Sequence, residues 1–260
     1  YSIQQLAATP VKAATVSDWL PDEDFLFKDD SASCVLPFTK AGNLIVIKAK
    51  VDSVEGNFIL DTGARYLILN LVYFRHYPID MLQNEEQTSM SGTGGSVHRT
   101  QLQQFSIGGI NYLRQQADLI DLGHLENSKG IRILGLIGLG LLERCEMVID
   151  YEKNLLYLHR IGRKEKQNYN SPHLQQDTGY HTLPIDIVEN QIVAQAEVQG
   201  KKLKFVLDSG AETNILDSRL PQAFFEKVTI TGRLTVRGTG NATVEALQGE
   251  LEALTIGANN

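Results

Sequence analysis

The sequence contains few of the residues that build metal sites or disulfide scaffolds. Its 260 residues include two cysteines, Cys34 and Cys145, too few for a disulfide scaffold and without zinc-site spacing. These residues leave one bridge between them open, although two free thiols are the expected state. The six histidines show no HExxH or other ligand spacing. We therefore expect no metal and no other cofactor.

Runs of positive charge and long apolar runs are also missing. The net charge is −7 and the longest basic stretch is RKEK at 163–166, which argues against nucleic acid or anionic membranes as partners. The longest apolar run, 133–142, is shorter than the about 20 residues of a membrane span. The absence of GxSxG argues against a serine nucleophile. The first residue is Tyr1 rather than Met, so we expect a removed signal and a secreted or periplasmic location.

Four regions follow one another along the chain. Residues 1–35 are polar and acidic and are expected to form an N-terminal arm. From Leu36 the chain changes to short runs rich in β-branched residues, separated by turn signals such as SVEG. This pattern predicts an all-β unit over 36–160 with little helix, the helix-like LLERC at 141–145 being short, and a final hairpin at 146–160. The patternless residues 161–182 are expected to be a linker before a second unit at 183–260.

The second unit repeats the first. Residues 36–70 align with 183–217 without a gap, and fourteen of the 35 positions are identical. MSGTGG at 90–95 matches VRGTGN at 236–241, and FSIGG at 105–109 matches LTIGA at 254–258. We call residues 36–160 segment one and residues 183–260 segment two. Three ordered matches predict that the segments are two copies of one β domain.

The two segments are unequal in length. Segment two stops at Asn260, just after its TIGA, and has no counterpart of residues 110–160. We expect segment two to be incomplete, because the remaining strands would make a small open sheet. We also expect the loop that follows its apolar strand to lack a neighbouring strand.

Each segment carries an aspartate directly after a run of buried character. The stretches are NFILDTGARYLIL, with Asp61, and KFVLDSGAETNIL, with Asp208. For either motif alone, the structural alternative is a β-turn in which the aspartate caps local N–H groups. Two such turns related by a two-fold axis would place their carboxylates in contact, where both cannot ionise and one proton is shared. Such a pair can activate water for attack on an amide without a metal or a covalent intermediate.

These motifs resemble those of the retropepsin-like aspartic proteases, in particular the tandem, secreted bacterial kind. The resemblance rests on LDTGA at 60–64, LDSGA at 207–211, LIG at 136–138 and the two Gly-Thr-Gly stretches. It implies two closed β-barrel domains of the acid-protease fold in tandem. It also implies hydrolysis of a peptide or protein substrate that binds in extended form by strand addition.

The resemblance assigns roles residue by residue. Asp61 and Asp208 would be the catalytic carboxylates. The supporting loops would consist of Thr62, Gly63, Ala64, Ser209, Gly210 and Ala211, with the hydroxyls locking the loops together and the glycines making the turns. The flaps over the substrate would contain Gly92, Thr93, Gly94, Gly238, Thr239 and Gly240.

Two departures from the family pattern bear on the loops. Leu67 and Asn214 stand where the family usually has Ser or Thr, three residues after the alanine. Arg65 follows the first alanine directly, and a cation there is expected to depress a carboxylate pKa.

We expect an aspartic endopeptidase whose dyad forms within one chain, as a pseudo-dimer, or between chains, as a homodimer. The alternative is a catalytically inactive module that keeps the acid-protease fold and binds peptides or assembles into a complex. Contact between the carboxyl groups of Asp61 and Asp208 would favour the enzyme.

Overall fold

The computed structural model describes residues 2–5, 25–27, 33–79, 98–162, 165–166, 168, 182–198, 200–226, 228–238, 243–251 and 254–256. The predicted flap residues Gly92, Thr93, Gly94, Thr239 and Gly240 and most of the predicted linker therefore lie outside the described residues.

Strands dominate the part of the chain before the predicted linker. These strands are β1 (Ser2–Gln5), β2 (Phe25–Phe27), β3 (Ser33–Ala41), β4 (Leu44–Val51), β5 (Val54–Asp61), β6 (Leu67–Asn70), β7 (His98–Gln101), β8 (Gln104–Ile107), β9 (Ile110–Leu113), β10 (Gln116–Ile120), β11 (Gly135–Gly138), β12 (Cys145–Asp150) and β13 (Leu155–Arg160). Two short helices interrupt them, α1 (Leu71–Phe74) and α2 (Gly123–Lys129).

Segment two is built from strands as well. These are β14 (Ile185–Val188), β15 (Gln191–Val198), β16 (Lys201–Asp208), β17 (Val228–Arg237), β18 (Thr243–Leu251) and β19 (Leu254–Ile256). Single 3₁₀ turns occur at Leu139–Leu141 and Gln222–Phe224. The molecule is thus mostly strand with little helix, as predicted. Neither α1 nor α2, the helices of the described residues, has the length and apolar character needed to cross a bilayer.

Two details of the predicted elements are wrong. LLERC at 141–145 is not helical: a 3₁₀ turn ends at Leu141 and β12 begins at Cys145, which leaves no room for an α-helical turn between them. Helix α2 was not predicted, because its seven residues carry no buried face and its start has no side-chain cap. Its end does have a signal, Gly130 in the left-handed conformation that closes helices.

Most of segment one forms a sheet of twelve strands in which the main order is β12-β13-β3-β4-β5-β11-β6-β10-β7. Strand β5 lies inside this sheet and is buried on both faces. Phe58 and Leu60 pack into the main core, whereas Ile59 packs into a second cluster on the opposite face. This two-sided burial explains the unbroken apolar run that leads to Asp61, each side chain contributing about 1.5–3 kcal/mol.

The strands that lead to the two aspartates pair in the same register. Val46 is opposite Ile59 in the β4–β5 pair, and Val193 is opposite Val206 in the β15–β16 pair, 147 positions further on. Strand β8 pairs with β4, and β19 pairs with β15 at the corresponding place. The strand orders of the described residues are open, so the two closed barrels stay a prediction.

The outer edge of β16 has a partner from the N-terminal arm. In segment one, β5 lies between β4 and β11, with Asp61 opposite Gly138. In segment two, β16 lies between β15 and β1, with Asp208 opposite Ser2. The expectation that this strand would lack a neighbour is therefore wrong. Strand β1 supplies backbone partners for an edge that would otherwise be unpaired.

Candidate active site

The loops after β5 and β16 bring two carboxyl groups into contact. The side chain of Asp208 hydrogen-bonds to that of Asp61. Their closeness is also visible at the glycines two residues after each aspartate. A Cβ atom on Gly63 would lie 2.6 Å from Oδ1 of Asp208, and one on Gly210 would lie 2.6 Å from Oδ2 of Asp61. Each turn thus leaves room for the carboxylate of the other.

Two hydroxyl groups tie these loops together. Thr62 Oγ1 donates to the carbonyl of Leu207 at 2.7 Å and accepts from the N–H of Ser209 at 2.9 Å. Ser209 Oγ donates to the carbonyl of Leu60 at 2.8 Å and accepts from the N–H of Thr62 at 3.0 Å. Each hydroxyl thus bonds the backbone on both sides of the opposite aspartate, an arrangement with nearly two-fold symmetry.

Asp61 is a buried residue, 8% exposed, and the pKa of its carboxyl group is strongly shifted. Burial first, and then the charge and the hydrogen bond of Asp208, raise the pKa of Asp61 to about 8. The N–H groups of Ala64 and Gly63 donate to Asp61 Oδ1 at 3.0 Å each and act in the opposite direction. The carboxyl pair therefore holds on to a proton more strongly than a separate aspartate would.

Arg65 does not have the effect expected from the sequence. Its guanidinium forms an ion pair with Glu189 of segment two, and both side chains are about half exposed. Burial and the neighbouring Asp208, and not Arg65, shift the pKa of Asp61, and they raise it rather than depress it. The expected depression is wrong because the guanidinium binds a carboxylate outside the pair.

Gly63 and Gly210 are constrained more tightly than glycines that only make a turn. Neither Gly63 nor Gly210 has positive φ, so backbone conformation alone does not demand glycine at these positions. The demand comes from the opposite carboxyl group, which occupies the space of a methyl group. Leu67, where the family pattern has a hydroxyl, is buried in β6 and packs into the main core.

The other predicted supporting and flap residues are partly described. The N–H of Gly210 donates to Asp208 Oδ1 at 2.8 Å, and the carbonyl of Ala64 accepts from Leu139 at 3.0 Å. Ala211 follows Gly210 in the same loop. Gly238 directly follows β17, which pairs with β18 in an antiparallel hairpin.

Sequence reasoning missed a set of side chains that connect the two segments beside the carboxyl pair. Gln191 Nε2 donates to the carbonyl of Gly63 at 3.2 Å, and Lys129 forms an ion pair with Glu212. A signal was present in the alignment of the segments, which places Arg65 opposite Glu212, two residues of opposite charge.

Within the described residues, no three His, Cys, Asp or Glu side chains are grouped as a metal would require. Cys34 and Cys145 are free thiols.

We call the four hydrogen bonds of Thr62 and Ser209 the hydroxyl lock. This lock predicts different losses of stability for two substitutions of Thr62. Thr62→Val removes a donor to Leu207 and an acceptor for Ser209, and is expected to lower the free energy of unfolding by ~2–4 kcal/mol. Thr62→Ser keeps the hydroxyl and serves as the control, with a smaller loss. Urea unfolding measures both. Equal losses for the two variants would contradict a role for these hydrogen bonds.

The comparisons with known proteins agree with this picture over part of the chain. Residues 47–141 match the family model described as aspartyl protease. The match confirms the predicted resemblance to the aspartic proteases for these residues, which contain the first carboxylate and its loop. Among solved structures, the chain is similar to a retropepsin-like aspartic protease from Rickettsia conorii. The two are 19% identical, with 49% of this chain and 90% of that chain covered and a TM-score of 0.33. This low similarity adds nothing to the case made by the residues. No curated protein matches the chain.

Proposed function

We propose that the protein is an aspartic endopeptidase that hydrolyses peptide bonds with a water molecule activated by Asp61 and Asp208. One observation carries the proposal: the two carboxyl groups are in contact, on loops locked to each other by Thr62 and Ser209. A structural turn aspartate would need only its own loop. Nothing in such a role requires a second carboxylate at hydrogen-bond distance.

The pair has the protonation state that this reaction needs. Like charges in contact resist double ionisation, so the pair titrates as a unit and holds one proton over a wide pH range. In the proposed reaction Asp61 carries that proton and donates it to the carbonyl oxygen of the scissile bond. Asp208 takes a proton from the attacking water, so that the tetrahedral intermediate forms without a covalent bond to the protein.

The remaining roles follow from the same proposal. Gly63 and Gly210 make room for the carboxyl groups, and the N–H groups of Gly63, Ala64 and Gly210 orient them. The segments are two copies of one domain that pair within the chain, which the matched registers of β4–β5 and β15–β16 support. The Gly-Thr-Gly stretches at 92–94 and 238–240 close over a substrate bound in extended form.

The test is cleavage of a random peptide library in ¹⁸O-labelled water. We expect internal cleavage, with one labelled oxygen in each new carboxyl group and no acyl-enzyme trapped by added amines, since water attacks directly. Cleavage that yields amine adducts would contradict the mechanism. The absence of cleavage at every pH, with peptides still bound, would identify an inactive binding module instead.

The raised pKa of Asp61 predicts the alkaline limit of activity. Below about pH 8 the proton donor is in place, and above it the proton is lost, so kcat/KM is expected to fall about tenfold per pH unit.

The stability of the folded state should also fall as the pH rises. The folded state holds the Asp61 proton more tightly than the unfolded chain, so stability is lost as pH rises towards about 8. Urea unfolding between pH 3.8, the ordinary pKa of an aspartate, and about pH 8 measures this loss of stability. Asp61→Asn should remove this part of the pH dependence. A pH dependence that survives unchanged would contradict the assignment.

A further inference from the structure

Charged residues on each side of the carboxyl pair bridge the two segments. Position 65 of segment one and position 212 of segment two both follow the Gly-Ala of their loops. Arg65 reaches across to Glu189 in the β14–β15 turn, and Glu212 reaches across to Lys129 at the end of α2. The same position in the two segments thus carries opposite charge, and each charge meets an opposite charge on the other segment.

The two contacts occupy related places. Glu189 and Gly42 are aligned residues of the β14–β15 and β3–β4 turns. A Cβ on Gly42 would lie 2.7 Å from Glu212 Oε1 and 3.5 Å from Lys129 Nζ, so Glu212 meets the turn that corresponds to the one Arg65 meets. Asn190 also donates to the carbonyl of Arg65 at 3.5 Å. The turn of one segment therefore contacts the loop of the other on both sides.

We propose that these charges specify pairing of segment one with segment two and disfavour pairing of either segment with its own kind. If two copies of segment one paired in the same way, Arg65 would take the place of Glu212 and lie beside Lys129 of the second chain. If two copies of segment two paired, Glu212 would take the place of Arg65 and lie beside Glu189. Both self-pairings place like charges in contact, while the observed pairing satisfies all four residues.

The burial of the residues indicates which contact matters more. Arg65 and Glu189 are 47% and 54% exposed, so solvent screens that pair. Lys129 is only 12% exposed, and a second cation beside it would be poorly solvated. The penalty against self-pairing of segment one is therefore the larger of the two. This inference concerns assembly and does not require the protein to be catalytic.

The test inverts the charges in the full 260-residue chain. In R65E/E212R, both observed contacts become repulsive and both self-pairings become attractive. In R65E/E189R/K129E/E212R, the observed contacts are complementary again, with their signs exchanged. The matched control is K48E/E152R, which reverses one cation and one anion at exposed positions of segment one and leaves the net charge unchanged. Light scattering after size-exclusion chromatography gives the mass, up to the near-millimolar range that competes with a tethered partner.

We expect the wild type, the control and the fourfold variant to have the mass of one chain, 28.8 kDa. The R65E/E212R variant should associate. Its association constant for dimerisation should be about tenfold or more above that of the wild type, and high salt should lower it again. If that variant does not fold, E212R, which places a second cation beside Lys129, is compared in the same assay with E212Q, which removes the charge without reversing it, and E212R should associate more strongly. A single-chain mass for every folded reversal, or association that the restored charges fail to reverse, would overturn the proposal.

Discussion

Asp61→Asn is expected to abolish peptide cleavage, with a loss of about 10³-fold or more in kcat/KM. Asparagine has the shape of the protonated carboxyl group and can still accept from the N–H groups of Gly63 and Ala64. It cannot transfer a proton to the substrate. Asp208→Asn should lose as much, because the base is then missing. The double variant should be hardly worse than either single one, since the two groups act as a unit.

The control for this prediction is Asp186→Asn, at an exposed position of β14. It should retain wild-type activity. Circular dichroism and urea unfolding test whether Asp61→Asn stays folded, and we expect a gain of ~0.5–2 kcal/mol, because burying this carboxyl requires a proton at a pH where the unfolded chain would ionise it. An Asp61→Asn protein that cleaves peptides at a rate near that of the wild type would end the case for a shared dyad.

Gly210→Ala is expected to lower activity by about 10²-fold or more through displacement of a reacting group by about 1 Å. The added methyl group would lie 2.6 Å from Oδ2 of Asp61. Asp61 has no room to yield, because its carboxyl is buried and held by two backbone N–H groups. The methyl group therefore separates the pair or distorts the locked loops.

Gly162→Ala gives the comparison, since its methyl group would meet no atom closer than 4.0 Å. The pH profile of Gly210→Ala adds an independent readout. If the pair is separated, the alkaline limit should move to lower pH, because contact with Asp208 contributes to the raised pKa of Asp61. Full activity with an unchanged profile would show that the space beside Asp61 does not constrain position 210.

The sequence predicted the parts of the fold that depend on local pattern. Short alternating and β-branched runs around SVEG predicted the β4–β5 pair, and the hairpin predicted at 146–160 is the β12–β13 pair, because such turns are set by nearby residues. The pairing of Asp61 with Asp208 could be inferred from repetition of the motif in two segments. Repetition suggests symmetry, and symmetry brings equivalent residues together.

The parts that could not be predicted depend on distant contacts. The partner of Arg65 lies 124 residues away, so nothing local shows that its charge is directed away from the carboxyl pair. The partner of Lys129 is 83 residues away. Pairing of β1 with β16 is also invisible in the sequence, since four polar and apolar residues in an acidic arm carry no strand signal. Gly63 and Gly210 looked like turn residues because the clash that requires them involves the opposite loop.

The hydroxyl lock limits how far the two loops that carry the carboxyl pair can separate. The bonds of Thr62 and Ser209 run in both directions between these loops, so rotating the two segments apart would break all of them together. If the protein binds a peptide as proposed, these loops stay fixed relative to each other while it binds. A variant that loosens the lock should then lower kcat more than it raises KM.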